Sequence, residues 1–173
     1  MRTIVIFCSD NDAGKTETIK NFFKAPFKTL ESIQFFKKSI SKILCYGFIF
    51  NSSNKLGTSM SPDIIKAQIE ELVRICDIDS KGNSYVLLIP FNIFLKKNNL
   101  KEINLKSIIE PIIYLRAKGS RVITIYLRTE NKELLNQNNK VMKKISQYQI
   151  ESFNNSKKQA KALEKIIRRA LME

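Results

Sequence analysis

The sequence predicts an α/β protein, a three-layer α/β/α sandwich built around a mostly parallel sheet. Four apolar runs rich in β-branched and aromatic residues recur along the chain, at residues 3–8, 45–50, 85–89 and 122–127. The runs are continuous rather than alternating, which is typical of strands that are covered on both faces. Stretches with helical spacing separate them, as in sheets whose parallel strands are joined by right-handed crossovers. A weaker strand candidate follows at residues 147–153.

Helices are predicted between and after these strands, at residues 16–23, 30–44, 62–76, 105–117 and 157–172. The second of them depends on apolar residues spaced three and four apart, which are Ile33, Phe36, Ile40 and Ile43. The third helix has Ser61 at its N-cap and Pro62 at its first position, where proline is well tolerated.

Composition limits the class of protein. The chain has 173 residues, of which 43% are apolar, and this indicates one globular domain spanning residues 1–173. No segment approaches the roughly 20 apolar residues that a membrane-spanning helix needs, and the start of the chain lacks the pattern of a secretory signal. Three widely spaced cysteines and no histidine argue against a structural zinc site and exclude histidine-based catalysis. The odd cysteine count and the missing signal predict a cytoplasmic location.

The chain is strongly basic, with 30 basic and 16 acidic residues and a net charge of +14. Such a charge favours polyanionic partners, which are a nucleic acid, a nucleotide or an anionic surface. The alternative interpretation is that a composition rich in Lys, Ile and Asn reflects the base composition of the genome. Charge alone therefore does not decide the function.

One motif carries specific chemistry. The first predicted strand runs directly into residues 9–16, with the sequence SDNDAGKT, and a predicted helix follows. This segment resembles the Walker A motif of P-loop nucleoside triphosphatases, G-x-x-x-x-G-K-[ST]. Gly14, Lys15 and Thr16 match the motif, whereas Ser9 occupies the position of its first glycine.

The resemblance implies a P-loop NTPase-like fold that binds ATP or GTP together with Mg²⁺. The residues it places around the nucleotide are Ser9, Asp12, Ala13, Gly14, Lys15 and Thr16. Backbone N–H groups of such a loop form an anion nest at a helix N-terminus, and glycine lets the phosphate approach closely. Lys15, expected on the loop surface, would reach the β- and γ-phosphates as a catalytic residue, and the Thr16 hydroxyl would hold the metal. ATP is favoured because no N-K-x-D tetrad for guanine occurs.

The second acidic residue of such enzymes is harder to find. The predicted strand 85–89 ends in Pro90-Phe91-Asn92, without a carboxylate. Asp63, which follows the second strand, is the leading candidate for a catalytic and metal-binding carboxylate, and Glu130 is a later one. The alternative is that Ser61 and Asp63 only cap a helix. Without a carboxylate that positions metal and water, phosphoryl transfer loses electrostatic assistance, which predicts slow turnover.

Three functions therefore remain open. The first is a slow NTPase or a kinase-like phosphotransferase. The second is a catalytically degenerate P-loop domain that acts as an interaction module. The third is a basic nucleic-acid-binding protein, in which the last helix presents a row of Lys and Arg side chains, although a simply solvated helix surface fits the same pattern. Arg128, at the end of the fourth strand, is interpreted either as a phosphate contact or as a surface charge.

Overall fold

Six strands form one sheet in the computed structural model, which describes residues 1–9, 14–25, 33–50, 56–93, 105–128, 145–150 and 155–173. The strands are β1 (Arg2–Ser9), β2 (Gln34–Ile40), β3 (Ile43–Ile49), β4 (Tyr85–Asn92), β5 (Arg121–Leu127) and β6 (Tyr148–Ile150). The helices of these residues are α1 (Lys15–Phe23), α2 (Pro62–Ser80), α3 (Lys106–Ala117) and α4 (Ser156–Met172). The strand order is β2-β3-β4-β1-β5-β6.

The predicted α/β class and mostly parallel sheet are confirmed. β1 lies at the centre and pairs in parallel with both β4 and β5, and nearly all of its residues are buried. Coverage on both faces explains why its sequence is continuously apolar. The weaker strand prediction at 147–153 is present as β6, although residues 151–153 lie outside the described residues.

Two apolar cores lie on opposite faces of the sheet. On one face α2 and α3 pack against the strands, and on the other face α1 and α4 do so. Because successive side chains of a strand point to opposite faces, Ile4 of β1 belongs to the first core and its neighbour Val5 to the second. The three-layer arrangement predicted from the sequence is therefore present.

The predicted helix at residues 30–44 is wrong. Residues 34–40 form β2, which pairs with β3 as an antiparallel hairpin. Burial alternates along β2, with Phe36 partly buried and Phe35 exposed. A spacing of four residues, as between Phe36 and Ile40, places side chains on one face of a strand as well as on one face of a helix, so the pattern was ambiguous.

The hairpin turn also lacks a sequence signal. Ser41 and Lys42 both have positive φ, 50° and 66°, as in the type I′ turns that join two strands through two residues. Such turns favour Asn-Gly or Asp-Gly, and neither dipeptide is present here.

The hairpin is held against α1 by a close approach at Gly47 of β3. A Cβ atom at this position would lie 2.2 Å from the ring of Phe23, the last residue of α1. That ring also stacks on Phe36, with centroids 5.9 Å apart. Only glycine leaves room for the ring here, and the contact fixes the end of α1 over the strand pair.

No helix among the described residues is long and apolar enough to cross a membrane. The three cysteines are buried and form no disulfide.

Candidate phosphate-binding site

The strand order reverses between β1 and β4. The chain leaves β1 through α1 towards the β2–β3 edge of the sheet, whereas it leaves β4 through α3 and crosses to β5 on the other side. The two helices lie on opposite faces of the sheet. In open α/β sheets a crevice forms outside the carboxyl ends of two such strands, and ligands bind there. The topology thus identifies the ends of β1 and β4 as the candidate site.

Three segments meet at this edge of the sheet. Ser9, the last residue of β1, pairs in register with Asn92 of β4, and the Ser9 carbonyl accepts a 2.8 Å hydrogen bond from the Ile93 N–H. The segment that precedes α2 runs beside Asn92, because the Asn92 N–H donates to Leu56 and its carbonyl accepts from Thr58. Ser9, Thr58 and Asn92 are all buried. Backbone pairing therefore places these three residues side by side at the ends of the strands.

Helix α1 begins at the same edge. Its N-cap is Gly14, whose φ of 80° and ψ of 25° lie in the left-handed region that favours glycine. The first intrahelical bond of the helix runs from the Thr18 N–H to the Gly14 carbonyl, at 2.9 Å. Since the leading N–H groups of a helix have no intrahelical acceptors and carry the positive end of its dipole, this terminus favours an anion.

Lys15 is buried, with 6% of its surface exposed. Its Nζ donates to the Ser9 hydroxyl at 2.5 Å and to the Ser9 carbonyl at 3.2 Å. The expectation that this lysine lies on the loop surface is therefore wrong. The first turn of α1 lies next to the end of β1, so the amine reaches back to the strand, and the serine at the first glycine position of the motif supplies one of its acceptors.

The thiol of Cys8, the residue before Ser9, is completely buried. Burial raises the pKa of this thiol to about 12, although the positive charge of Lys15 acts in the opposite direction. Burial thus disfavours the thiolate, which is the form that acts as a nucleophile or a metal ligand.

The remaining residues of the motif are only partly described. Thr16 lies in the first turn of α1 and is half-buried. Asp12 and Ala13 lie outside the described residues, and so does the alternative carboxylate Glu130. Their predicted roles stay predictions.

Asp63 lies in the first turn of α2, with its side chain 93% exposed. It forms an ion pair with Lys66 at 3.5 Å, and Lys66 also pairs with Glu110 at 3.6 Å. The capping role belongs to Ser61, whose hydroxyl accepts a hydrogen bond from the Ile64 N–H. Within the described part of the chain, no hydrogen bond or ion pair joins Asp63 to the motif, and its catalytic role stays a prediction.

Arg128 follows β5 at the same edge of the sheet. Its N–H donates to the Ile150 carbonyl at 2.9 Å, which extends the pairing between β5 and β6, and the residue is half-buried. Its predicted phosphate contact is not tested by these contacts.

The sequence patterns do not identify Gln159 as a residue of this site. This buried residue of α4 lies beside the start of α1, where its Oε1 is 2.6 Å from the Thr18 hydroxyl. The same oxygen is 3.7 Å from the point where a Cβ on Gly14 would lie. A signal was present, because Gln159 lies four residues before Leu163 in the apolar stripe of the last helix. A polar residue in such a stripe needs a buried partner.

The described residues contain no group of three or more Asp, Glu, His or Cys side chains that could hold a metal ion. The buried polar residues at the strand ends are Ser9, Lys15, Thr58 and Asn92, whose side chains offer hydroxyl, amide and ammonium groups. Mg²⁺ prefers carboxylate and phosphate oxygens. The donor set therefore fits an anion directly, and it fits Mg²⁺ only where phosphates supply most of the ligands.

No family model matches the chain, and no curated protein matches its sequence. Among solved structures, the chain is similar to the solution NMR structure of a de novo designed protein with the PLOOP2X3_50 fold. The two are 15% identical, the match covers 99% of this chain and 96% of that one, and the TM-score is 0.46. A likeness of this extent identifies no family, so the function is inferred from the chain's own residues.

Proposed function

We propose that the chain binds a nucleoside triphosphate, ATP in preference to GTP, in the crevice between the ends of β1 and β4. The observation that carries the proposal is the buried Lys15 amine next to the N-terminus of α1, at the point where the strand order reverses. A buried ammonium group and a helix N-terminus both favour negative charge at one place. A phosphate group carries the negative charge that both the ammonium group and the helix N-terminus favour.

Binding would change the partners of Lys15. Without ligand, its Nζ donates to the hydroxyl and the carbonyl of Ser9. A triphosphate would draw the amine toward its β- and γ-oxygens, because a charge-assisted bond to phosphate is stronger than a bond to a neutral hydroxyl. Gly14 leaves the backbone open to the phosphates, since no side chain stands there.

A magnesium ion would arrive with the triphosphate. The Thr16 hydroxyl would supply a ligand from the chain, and the metal would neutralise charge on the phosphates. The end of β4 offers the amide of Asn92 where a carboxylate would bind the metal more strongly. We therefore expect slow phosphoryl transfer, either to water or to an acceptor, rather than rapid hydrolysis.

The test replaces one buried lysine and uses another as its control. Lys15→Met keeps the aliphatic stem and removes the ammonium group. Lys20→Met does the same on the same helix, where Lys20 is also buried and pairs with Glu17 at 3.4 Å. Calorimetric titration with Mg·ATP and Mg·GTP should show at least a tenfold affinity loss, about 1.4 kcal/mol, for Lys15→Met only. Circular dichroism melting would verify that both variants fold.

Equal affinity of wild type and Lys15→Met would overturn the proposal. Tight binding of Mg·ATP by the wild type without measurable phosphate release would instead support the form of the proposal in which the domain binds nucleotide as an interaction module. Repeating the titration of wild type and Thr16→Val without magnesium shows whether Thr16 contributes to the metal-dependent part of the affinity.

A further inference from the structure

We infer that the outer face of α4 binds the sugar–phosphate backbone of a nucleic acid. The surface consists of six side chains, which are Lys157, Lys158, Lys161, Lys165, Arg168 and Arg169, and we name it the basic arc. All six are exposed. At about 100° per residue, they fall within an arc of about 120° around the helix axis and extend over about 18 Å along it.

The basic arc has an unusually uniform composition. Between residues 157 and 169, every side chain that falls within this arc is Lys or Arg. The buried residues of α4, including Leu163 and Ile167, occupy the opposite side and pack against the sheet. The nearest carboxylates, Glu164 and Glu173, lie at the borders of the arc rather than within it.

Most of the charge in this arc is not neutralised. Glu164 binds Arg168 at 2.7 Å and Glu173 binds Arg169 at 3.0 Å. In contrast, none of the four lysines at positions 157, 158, 161 and 165 forms an ion pair with a carboxylate of the described residues. Between residues 157 and 165, α4 therefore presents four positive charges that no carboxylate of the described residues neutralises.

The position of two of these lysines disfavours the helix. Lys157 and Lys158 lie in the first turn of α4, which contains no acidic residue and is capped by Asn155. Cations near a helix N-terminus oppose the helix dipole, and the penalty is a few tenths to about 1 kcal/mol each. A carboxylate in this turn would stabilise the helix, whereas these two lysines destabilise it. Such a choice of residues is expected where the lysines bind an anionic partner.

The basic arc continues toward α1 through a shallow groove of about 390 Å³. Lys24, the exposed C-cap of α1, lines this groove together with Lys157 and Lys161. The groove thus adds a fifth lysine beside the row on α4, and the carboxylate of Glu164, which pairs with Arg168 and Lys38, lies at its border.

The chemistry of the basic arc favours a nucleic acid over a protein or a membrane as its partner. Protein partners are bound mainly through buried aromatic and apolar anchors, and the arc has none between residues 157 and 169. An interfacial membrane helix needs its apolar face free for lipid, whereas the apolar face of α4 is covered by the sheet. A row of cations without apolar anchors matches the phosphate backbone of a nucleic acid, where counterion release drives binding without sequence preference.

The test compares two variants that each lose four positive charges. The arc variant carries Lys157→Gln, Lys158→Gln, Lys161→Gln and Lys165→Gln. The control variant carries Lys81→Gln, Lys106→Gln, Arg116→Gln and Lys118→Gln, all of which are exposed residues of α2, α3 and their ends, on the opposite face of the sheet. Fluorescence anisotropy with labelled 20-nucleotide poly(dT), 20-nucleotide poly(U) and a 20-base-pair DNA duplex, each over a salt series, measures affinity and its salt dependence.

For single strands, we expect the arc variant to bind at least tenfold more weakly than wild type at low salt, and its salt slope to be less negative by about 3. The control variant should stay within about threefold of wild type, and so should Lys15→Met, because Lys15 is buried and lies outside the basic arc. Comparison of the three affinities shows whether the arc binds single-stranded DNA, single-stranded RNA or duplex DNA most tightly. Thermal melting should show that the arc variant is at least as stable as wild type, since the lysines that oppose the helix dipole are gone.

Equal losses in the arc and control variants would overturn the inference, because overall charge would then account for binding. An absence of wild-type binding to all three probes at low salt would also overturn it. A third contrary result is displacement of the oligonucleotide by poly(L-glutamate) of equal charge at equal concentration, because the surface would then be one for acidic proteins.

Discussion

At the scale of single residues, Ser9 and Lys15 form the pair that sets the state of the candidate site. Ser9 is a departure from the Walker A pattern, and its hydroxyl becomes an acceptor for the lysine that the same pattern assigns to phosphate. A ligand at the proposed phosphate site would therefore compete with an internal partner. In that proposal the serine hydroxyl stabilises the ligand-free position of the amine.

Replacing this serine should strengthen nucleotide binding. Ser9→Ala removes the hydroxyl and keeps the extended backbone of β1, so the Lys15 amine loses one acceptor that a phosphate would have to replace. A net hydrogen bond is worth about 0.5–1.5 kcal/mol, so Mg·ATP should bind roughly two- to tenfold more tightly by calorimetry. Ser61→Ala, which removes only the cap of α2, should leave the affinity unchanged. Equal or weaker binding by Ser9→Ala would contradict this prediction.

The sequence predicts which residues lie at this site where they are neighbours along the chain, but not where they are distant from one another along it. The sequence places Gly14 and Lys15 directly after the first strand, and the structure has them at the start of α1 beside the end of β1. The burial of Lys15 was not foreseen, since it depends on how the strand end and the helix meet in space. The contact between Thr18 and Gln159 joins residues 141 positions apart, and no local pattern reveals such a pair.

At the scale of elements, the last helix and the β2–β3 hairpin are opposite cases. The residues of α4 separate into an apolar stripe and a basic face, a pattern that only a helix accommodates. In β2, Phe36 and Ile40 fit both a helix and a strand, and the pairing partner, β3, decided the outcome. The type of an element can therefore be predicted where the spacing of its apolar residues fits either a helix or a strand, but not both.

The turn of this hairpin offers a test of the corrected assignment. Lys42→Gly should stabilise the fold by about 0.5–1 kcal/mol, because the left-handed φ of 66° is strained for lysine and unstrained for glycine. Lys118→Gly is the control, since Lys118 has an ordinary φ of −83° at the end of α3 and glycine there adds only unfolded-state entropy. Urea unfolding measures both changes. Destabilisation by Lys42→Gly would show that the turn does not adopt this geometry in solution.

At the scale of the whole molecule, the strand order brings the candidate site together. Strands and crossovers were predictable from alternating patterns, but the order β3-β4-β1-β5 was not, because it depends on which strands pair over long sequence distances. That order makes Ser9 and Asn92 neighbours although 83 residues separate them along the chain. In the sequence, the ending Pro90-Phe91-Asn92 indicates only that this predicted strand ends without a carboxylate, whereas the sheet places Asn92 directly beside Ser9.

A carboxylate introduced at the end of β4 should therefore change both stability and turnover. Asn92 is 3% exposed, so Asn92→Asp buries a charge and should lower the melting temperature without ligand. Mg·ATP should restore stability, because the metal offsets that charge, and phosphate release should rise at least about tenfold as the new oxygen orients the metal and its water. Asn92→Ala should lose stability without either gain. Asp63→Asn, made in the wild-type chain, tests whether Asp63 is the native metal-binding carboxylate. A fall of about tenfold in the rate of phosphate release would assign that role to Asp63. An unchanged rate would leave Asp63 with its ion pair to Lys66 only. If Asn92→Asp showed no magnesium-dependent gain in melting temperature or rate, the crevice between β1 and β4 would not be where the triphosphate and its metal bind.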